Sequence, residues 1–127
     1  QIKAFENPLT QSQLNKARAA VRDVRMSEQV EEYLVQIILA TRNSEKYGGN
    51  LSDWLEFGAS PRATIALDIC SKSLAWLDNR NFVTPDDIRS IAHDVLRHRL
   101  ILSFEAEANG ISSDQVVDEL LKVVPSA

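Results

Sequence analysis

The 127-residue chain has few of the residues that build crosslinks, metal sites and loop-rich folds. Its single cysteine, Cys70, excludes an internal disulfide and any cysteine-rich zinc site. Its two histidines, His93 and His98, are five positions apart, a spacing that does not bring them together on one helix face. Four glycines and four prolines are too few for a loop-rich or fibrous protein. We therefore expect a folded domain without a metal site.

The sequence also lacks a long apolar run and an excess of positive charge. No apolar run approaches the ~20 residues of a membrane-spanning helix, and we expect no membrane span. The formal charge is −4, from 14 basic and 18 acidic residues, which disfavours general binding to nucleic acid. The acidic excess lies after Ile101, where Lys122 is the only basic residue, and the preceding part is balanced. We expect no nucleic-acid partner.

What the sequence does contain is a repeated pattern of helix starts. Residues that favour the N-cap position stand at Thr10, Ser27, Ser60, Thr84 and Ser112. Glutamine follows Thr10 and Ser112 by three positions, as in a capping box. Apolar residues continue from each start at helical spacing, and hydrophobic residues make up 44% of the chain. The sequence therefore predicts an all-α fold, a small bundle of about five helices.

Two stretches do not follow the helical period. Leu100–Phe104 is a short apolar run that fits either a strand or an extended chain. Asn43–Gly58 predicts a loop of unusual length, and long loops in compact domains often carry function. The alternative is a surface loop held down by Tyr47, Trp54 and Phe57. The two interpretations are equally supported by the residues alone.

Arg62 is the residue that conflicts with local helix physics. Ser60 and Pro61 predict a helix start, which places Arg62 in the first turn, where a cation opposes the helix dipole. An anion bound there turns this cost into a gain, because free backbone N–H groups and a guanidinium converge on one phosphate. The alternative is an arginine turned outward to an acid such as Glu56.

Arg97, His98 and Arg99 form a small basic cluster at the predicted end of the fourth helix. They are a candidate phosphate or partner interface, and compensation of the helix dipole is the stronger explanation. Cys70 lies on the apolar stripe of the third helix, where a buried, unreactive thiol is expected. The sequence has no phosphate-binding loop and no dinucleotide-binding glycine pattern, so we expect no catalysis by this chain alone.

Three motifs, in this order, resemble the C-terminal lid of MoxR-type AAA+ ATPases. They are Gly-Ala-Ser-Pro-Arg-Ala at 58–63, Val-Thr-Pro-Asp-Asp-Ile at 83–88 and Val-Leu-Arg-His-Arg-Leu at 95–100. The resemblance runs from about Leu9 to Pro125. It implies that residues 1–9 are a linker from an upstream ATPase core and that residues 10–127 are a helical lid domain. The core itself, with its Walker motifs, sensor 1 and arginine finger, is absent from this sequence.

The resemblance also implies a function. In that family the first motif carries the sensor 2 arginine, so Arg62, with Ser60 and Pro61 at the helix start, would contact bound nucleotide. The parent would be an ATPase that uses ATP and Mg²⁺, while the isolated fragment would bind neither. The implied partners are the upstream core, neighbouring subunits of a hexamer and von Willebrand factor A-domain proteins. The implied activity is chaperone-like remodelling or maturation of partner complexes in the cytoplasm.

Two other classes of function remain at this point. One is a free-standing helical interaction module that docks through the loop from Tyr47 to Phe57. The other is the lid of a DNA-associated AAA+ ATPase. That lid would need a basic face, which residues 1–101 do not offer because their positive and negative charges balance. The chain begins at Gln1 rather than Met, and we therefore expect a fragment or a processed product.

Overall fold

The computed structural model describes residues 10–125, which form a bundle of helices with one small sheet. The helices are α1 (Gln11–Arg22), α2 (Glu28–Arg42), α3 (Leu51–Trp54), α4 (Pro61–Leu77), α5 (Pro85–Leu96), α6 (Phe104–Ala108) and α7 (Ser113–Val123). The strands are β1 (Leu55–Phe57) and β2 (Ile101–Leu102). The prediction of an all-α bundle is confirmed, with α3 and α6 as single helical turns beyond the five predicted helices. The predicted linker, residues 1–9, lies outside the described residues.

The predicted helix starts are confirmed, and four of the five carry the expected side-chain cap. Thr10 and Ser112 form capping boxes with the glutamines that follow them, and Thr84 forms one with Asp87. Ser27 accepts a hydrogen bond from the Val30 N–H. These side chains satisfy backbone donors that a helix start would otherwise leave without partners. Ser60 differs, since its hydroxyl makes no capping hydrogen bond at the start of α4.

The core lies between α2, α4, α5 and α7. Helix α4 packs against α5 and α2, and α7 packs against α2 and α5. Residues that are fully buried on these helices include Ile37, Leu67, Ile88, Leu96 and Leu120. Helix α1 lies on the outside of α4, and none of its residues is buried. A backbone bridge between Arg25 and Phe82 ties the chain that follows α1 to the chain that follows α4.

The segment Asn43–Gly58 is not the irregular loop that the sequence predicts. It contains a 3₁₀ turn at Ser44–Lys46, helix α3 and strand β1. Strand β1 pairs with β2 in antiparallel register, Leu55 opposite Leu102 and Phe57 opposite Ile101. Hydrophobic period could not reveal these elements because each is only two to four residues long. The ambiguous apolar run at Leu100–Phe104 is therefore a short strand followed by the start of α6.

No helix within residues 10–125 is long and apolar enough to cross a lipid bilayer. Within the same residues, no group of three or more histidine, cysteine, aspartate or glutamate side chains is placed to hold a metal ion. Cys70 is half-buried and packs against the core.

Candidate functional site

The start of α4 is held in place by the end of α2. Thr41, on the last turn of α2, is 3% exposed, and its Oγ1 donates to the Ile38 carbonyl at 2.6 Å. The same Oγ1 accepts a hydrogen bond from the Ala59 N–H at 3.0 Å. Two residues later α4 begins at Pro61. The hydroxyl of Thr41 therefore fixes the strand-to-helix connection that carries Arg62.

Gly58 allows this connection to approach α2 closely. A Cβ atom at position 58 would collide with the backbone carbonyl of Thr41 and would lie 2.8 Å from the Arg42 nitrogen. Neither neighbour can move easily, since both belong to helical backbone. The glycine is thus required for a close approach of two chains. Sequence reasoning missed Thr41 and Gly58 as positioning residues; the available signal was a glycine two residues ahead of the helix-start residue Ser60.

Arg62 lies in the first turn of α4 and is exposed. Its guanidinium forms no salt bridge with any residue in 10–125, and Glu56, the alternative partner considered from the sequence, does not pair with it. Pro61 has no N–H. The Ser60 hydroxyl makes no capping hydrogen bond, so the N-terminus of α4 has no side-chain cap. Helix α4 therefore presents an uncapped positive end beside an arginine without an acidic partner in the described chain.

A cavity of about 530 Å³ opens beside this helix start. It lies between the end of α2 and the segment Gly58–Pro61, and its polar lining includes Arg42, Glu45 and Glu56. The two carboxylates offset the single arginine, so the cavity has no excess of positive charge. Arg62 does not line this cavity. The lining of this cavity therefore does not favour an anion.

The basic cluster 97–99 is divided by the structure. Arg97 donates to Asp114 at 2.8 Å and lies 3.4 Å from Asp94, so it ties the end of α5 to α7. The hydrogen bond to Asp114 raises the pKa of Arg97. His98 and Arg99 are exposed, directly after α5. The three side chains do not share one role, and the use of this cluster as an interface stays a prediction.

The aromatic residues of the 43–58 segment also divide. Tyr47 is half-buried and its hydroxyl donates to Gln36, and Trp54 packs against the core. Phe57 is 61% exposed and lies beside Ile101, which is 57% exposed. Two of the three aromatics thus hold the segment to the bundle, while the third does not.

A family model for the AAA lid domain matches residues 52–120 of the chain. Chaperone MoxR1 of Mycobacterium tuberculosis is 40% identical over 94 residues, which are 73% of this chain and 25% of that protein. The uncharacterized protein YeaC of Bacillus subtilis is 35% identical over 104 residues, or 82% of this chain and 30% of that protein. A crystal structure of a protein from Cytophaga hutchinsonii, assigned as an ATPase, matches 90% of the chain with a TM-score of 0.85 and 37% identity.

The chain therefore belongs to the AAA lid domain family and, within it, to the MoxR-type AAA+ ATPases. It spans between a quarter and a third of the length of the two curated relatives described above. It covers 35% of the chain of the solved structure.

Proposed function

We propose that this lid supplies a sensor 2 arginine, Arg62, to ATP bound by the full-length ATPase. The observation that carries the proposal is the exposed guanidinium of Arg62 beside the uncapped start of α4, with no acidic partner within residues 10–125. A phosphate at this position would accept hydrogen bonds from the guanidinium and would lie at the positive end of the helix dipole. The site chemistry of this chain therefore fits the phosphates of a nucleotide.

The side chains of residues 10–125 do not fit the Mg²⁺ ion. Because residues 10–125 hold no group of side chains suited to a metal, the ligands of Mg²⁺ would come from the ATPase core. Bound MgATP supplies the phosphoryl group that the ATPase transfers to water. Arg62 would bind the β/γ-phosphates, orient them and stabilise negative charge on them, and Thr41 and Gly58 would hold α4 at the required position.

The wider role that we propose for the parent protein is based on its relatives. The identity to Chaperone MoxR1 supports chaperone-like remodelling or maturation of partner complexes by the parent protein. As a MoxR-type AAA+ ATPase the parent would assemble into a hexamer, act in the cytoplasm and work with a von Willebrand factor A-domain protein. Mass photometry of the full-length protein with and without ATP tests the hexamer, and a particle that stays monomeric under both conditions contradicts it.

The test of Arg62 is the substitution Arg62→Ala in the full-length parent. We expect ATP turnover to fall by about one to several orders of magnitude, as when a fixed cation is removed from a phosphoryl-transfer site. Nucleotide affinity should fall less than turnover if the arginine acts mainly on the transition state. Arg25→Ala, at an exposed arginine between α1 and α2, is the matched control and should retain turnover. Normal turnover in Arg62→Ala contradicts the proposal.

A further inference from the structure

The turn between α6 and α7 contains the pair Asn109 and Gly110. The chain has seven asparagines, and Asn109 is the one that a glycine follows. Asn109 is the C-cap of α6, with φ −90° and ψ 5°, and Gly110 has a positive φ of 76°. Both residues are exposed, so water reaches the side-chain amide of Asn109 in the folded chain.

Two backbone hydrogen bonds hold this turn. The Gly110 N–H donates to the Glu107 carbonyl at 3.1 Å, and the Ile111 N–H donates to the Ala106 carbonyl at 2.9 Å. Helix α6 has only five residues, so few hydrogen bonds must break for the turn to open. A Cβ atom at position 110 would meet nothing within 4 Å, which leaves the backbone room to rotate. Local opening therefore frees the Gly110 nitrogen while the rest of the bundle stays folded.

An asparagine followed by glycine reacts with its own backbone. The Gly110 nitrogen attacks Cγ of Asn109, the N–Cγ bond forms and the Cγ–Nδ2 bond breaks, and ammonia leaves with the proton of the Gly110 N–H. Water then opens the cyclic imide. Cleavage of the N–Cγ bond gives aspartate, and cleavage between the nitrogen and the main-chain carbonyl carbon gives isoaspartate. A side chain on the following residue hinders the attack, and glycine has none.

We propose that Asn109 is a modification site at which the lid loses ammonia to water, and that the isoaspartate product opens the turn after α6. Conversion changes the formal charge of the chain from −4 to −5, since a neutral amide becomes a carboxylate. The new charge lies at the C-terminal end of α6, which already carries Glu105 and Glu107. The negative end of the helix dipole disfavours a carboxylate there.

The isoaspartate product also lengthens the main chain. Its backbone passes through the former side chain and gains one carbon, which moves the Ile111 N–H away from the Ala106 carbonyl. Ala106 is 1% exposed and Ile111 packs against the core, so this turn closes one end of the bundle. Helix α6 also packs against α3. Loss of the turn should therefore loosen α6, while α2, α4 and α5 keep their packing.

The experiment follows the purified 127-residue chain during incubation at mildly alkaline pH, where loss of the amide proton is faster. Trypsin releases residues 100–122, in which Asn109 is the only asparagine. Mass spectrometry measures its conversion, and labelling by an isoaspartyl methyltransferase measures the isoaspartate. Asn79 is the internal control, since it is also exposed and has a positive φ of 59°, but Arg80 follows it. We expect Asn109 to convert about tenfold faster than Asn79.

The matched variant is Gly110→Ala. Alanine is strained at a positive φ and so favours opening of the turn, but its methyl group hinders the attack by the nitrogen. A slower reaction in this variant can therefore not result from a tighter turn. We expect the conversion of Asn109 to slow about tenfold. Equal rates at Asn109 and Asn79, or an unchanged rate in Gly110→Ala, overturn the proposal.

Anion exchange separates the converted chain, and hydrogen exchange then measures the effect on α6. We expect the Ile111 N–H to exchange about tenfold faster in the isoaspartate form, with the exchange at Leu67 in the core unchanged. Asn109→Asp adds the charge without the extra carbon and should change the exchange at Ile111 less. Unchanged exchange at Ile111 in the isoaspartate form overturns the opening of the turn. None of these measurements depends on the role of Arg62.

Discussion

Replacing Asp87 with asparagine is expected to remove a large share of the stability of the lid. Arg80 donates two hydrogen bonds to the carboxylate, each 2.7 Å long, from its two terminal nitrogens. The Thr84 N–H donates a third at 2.8 Å, which closes the capping box at the start of α5. Asp87 is 5% exposed, so water cannot replace these partners without local opening. One carboxylate thus joins the turn after α4 to the first turn of α5.

The magnitude follows from these contacts. Asparagine keeps one carbonyl oxygen but turns an N–H₂ group toward the guanidinium, so the two-pronged contact with Arg80 is lost. Breaking a buried ion pair costs about 3–5 kcal/mol, and a hydrogen bond to a charged group contributes about 1.5–3 kcal/mol. The Arg80 side chain is 25% exposed and can recover part of its hydration. We therefore expect Asp87→Asn to lower the free energy of unfolding by about 2–3 kcal/mol.

Chemical denaturation of the 127-residue chain at pH 7 measures this loss, with Asp78→Asn as the control. Asp78 accepts from the same arginine at 3.0 Å but its side chain is 71% exposed. Exposed ion pairs contribute little, so the control should lie within about 0.5 kcal/mol of the unmodified chain. Similar effects of the two substitutions would contradict the importance of burial in this network.

The pH dependence gives a second measurement. The hydrogen bonds from Arg80 lower the pKa of Asp87 below its usual value of 3.8. Because the folded pKa lies below the unfolded one, this contribution is complete above about pH 4 and is lost as the pH falls through the folded pKa. The difference in stability between the unmodified chain and Asp87→Asn should therefore shrink below about pH 4. A difference that stays constant down to pH 2 would refute the assignment.

Three further substitutions test the site at the start of α4. Gly58→Ala should destabilise the chain by about 3 kcal/mol or more, because the added Cβ collides with the Thr41 carbonyl. The control, Gly110→Ala, has a positive φ but open space around it and should cost only about 1 kcal/mol. Equal denaturation midpoints for the two variants would contradict the close approach at Gly58. Ser60→Ala should change the free energy of unfolding by less than about 0.5 kcal/mol, since no capping hydrogen bond is lost. The control, Ser112→Ala, removes a capping hydrogen bond and should cost about 1 kcal/mol. A larger effect at Ser60 would show that its hydroxyl caps α4 in solution. Arg62→Ala should leave the stability of the chain unchanged or raise it by a few tenths of a kcal/mol, as expected when a cation leaves a helix start, and strong destabilisation would identify Arg62 as a structural residue.

Local chemistry predicts the long helices well because each begins with a capping residue and continues with an apolar period. The start of α4 at Ser60 and Pro61 is an example, and the structure places that helix as expected. The sequence does not predict whether the Ser60 side chain caps the helix. A serine at an N-cap position indicates where the helix begins, but whether its hydroxyl bonds to the helix depends on its rotamer.

The parts that the sequence does not predict depend on contacts between residues of different structural elements. The Arg80–Asp87 pair and the Thr41–Ala59 hydrogen bond join residues whose proximity follows from packing, and neither has a local signature. Strands β1 and β2 form because each supplies the other's partners, which a single short segment cannot reveal. The open face of α1 is likewise a property of the assembled bundle, since its apolar stripe has the same period as that of a buried helix.

The direct contact between the backbones at Gly58 and Thr41 has a consequence for how the lid tolerates sequence change. Where two helices are separated by side chains, each substitution of a different volume alters their distance by some tenths of an ångström. At Gly58 no side chain intervenes, so the distance is set by the van der Waals radii of main-chain atoms. Substitutions elsewhere in the core can then change the melting temperature of the lid while the Cα atom of Arg62 keeps its place.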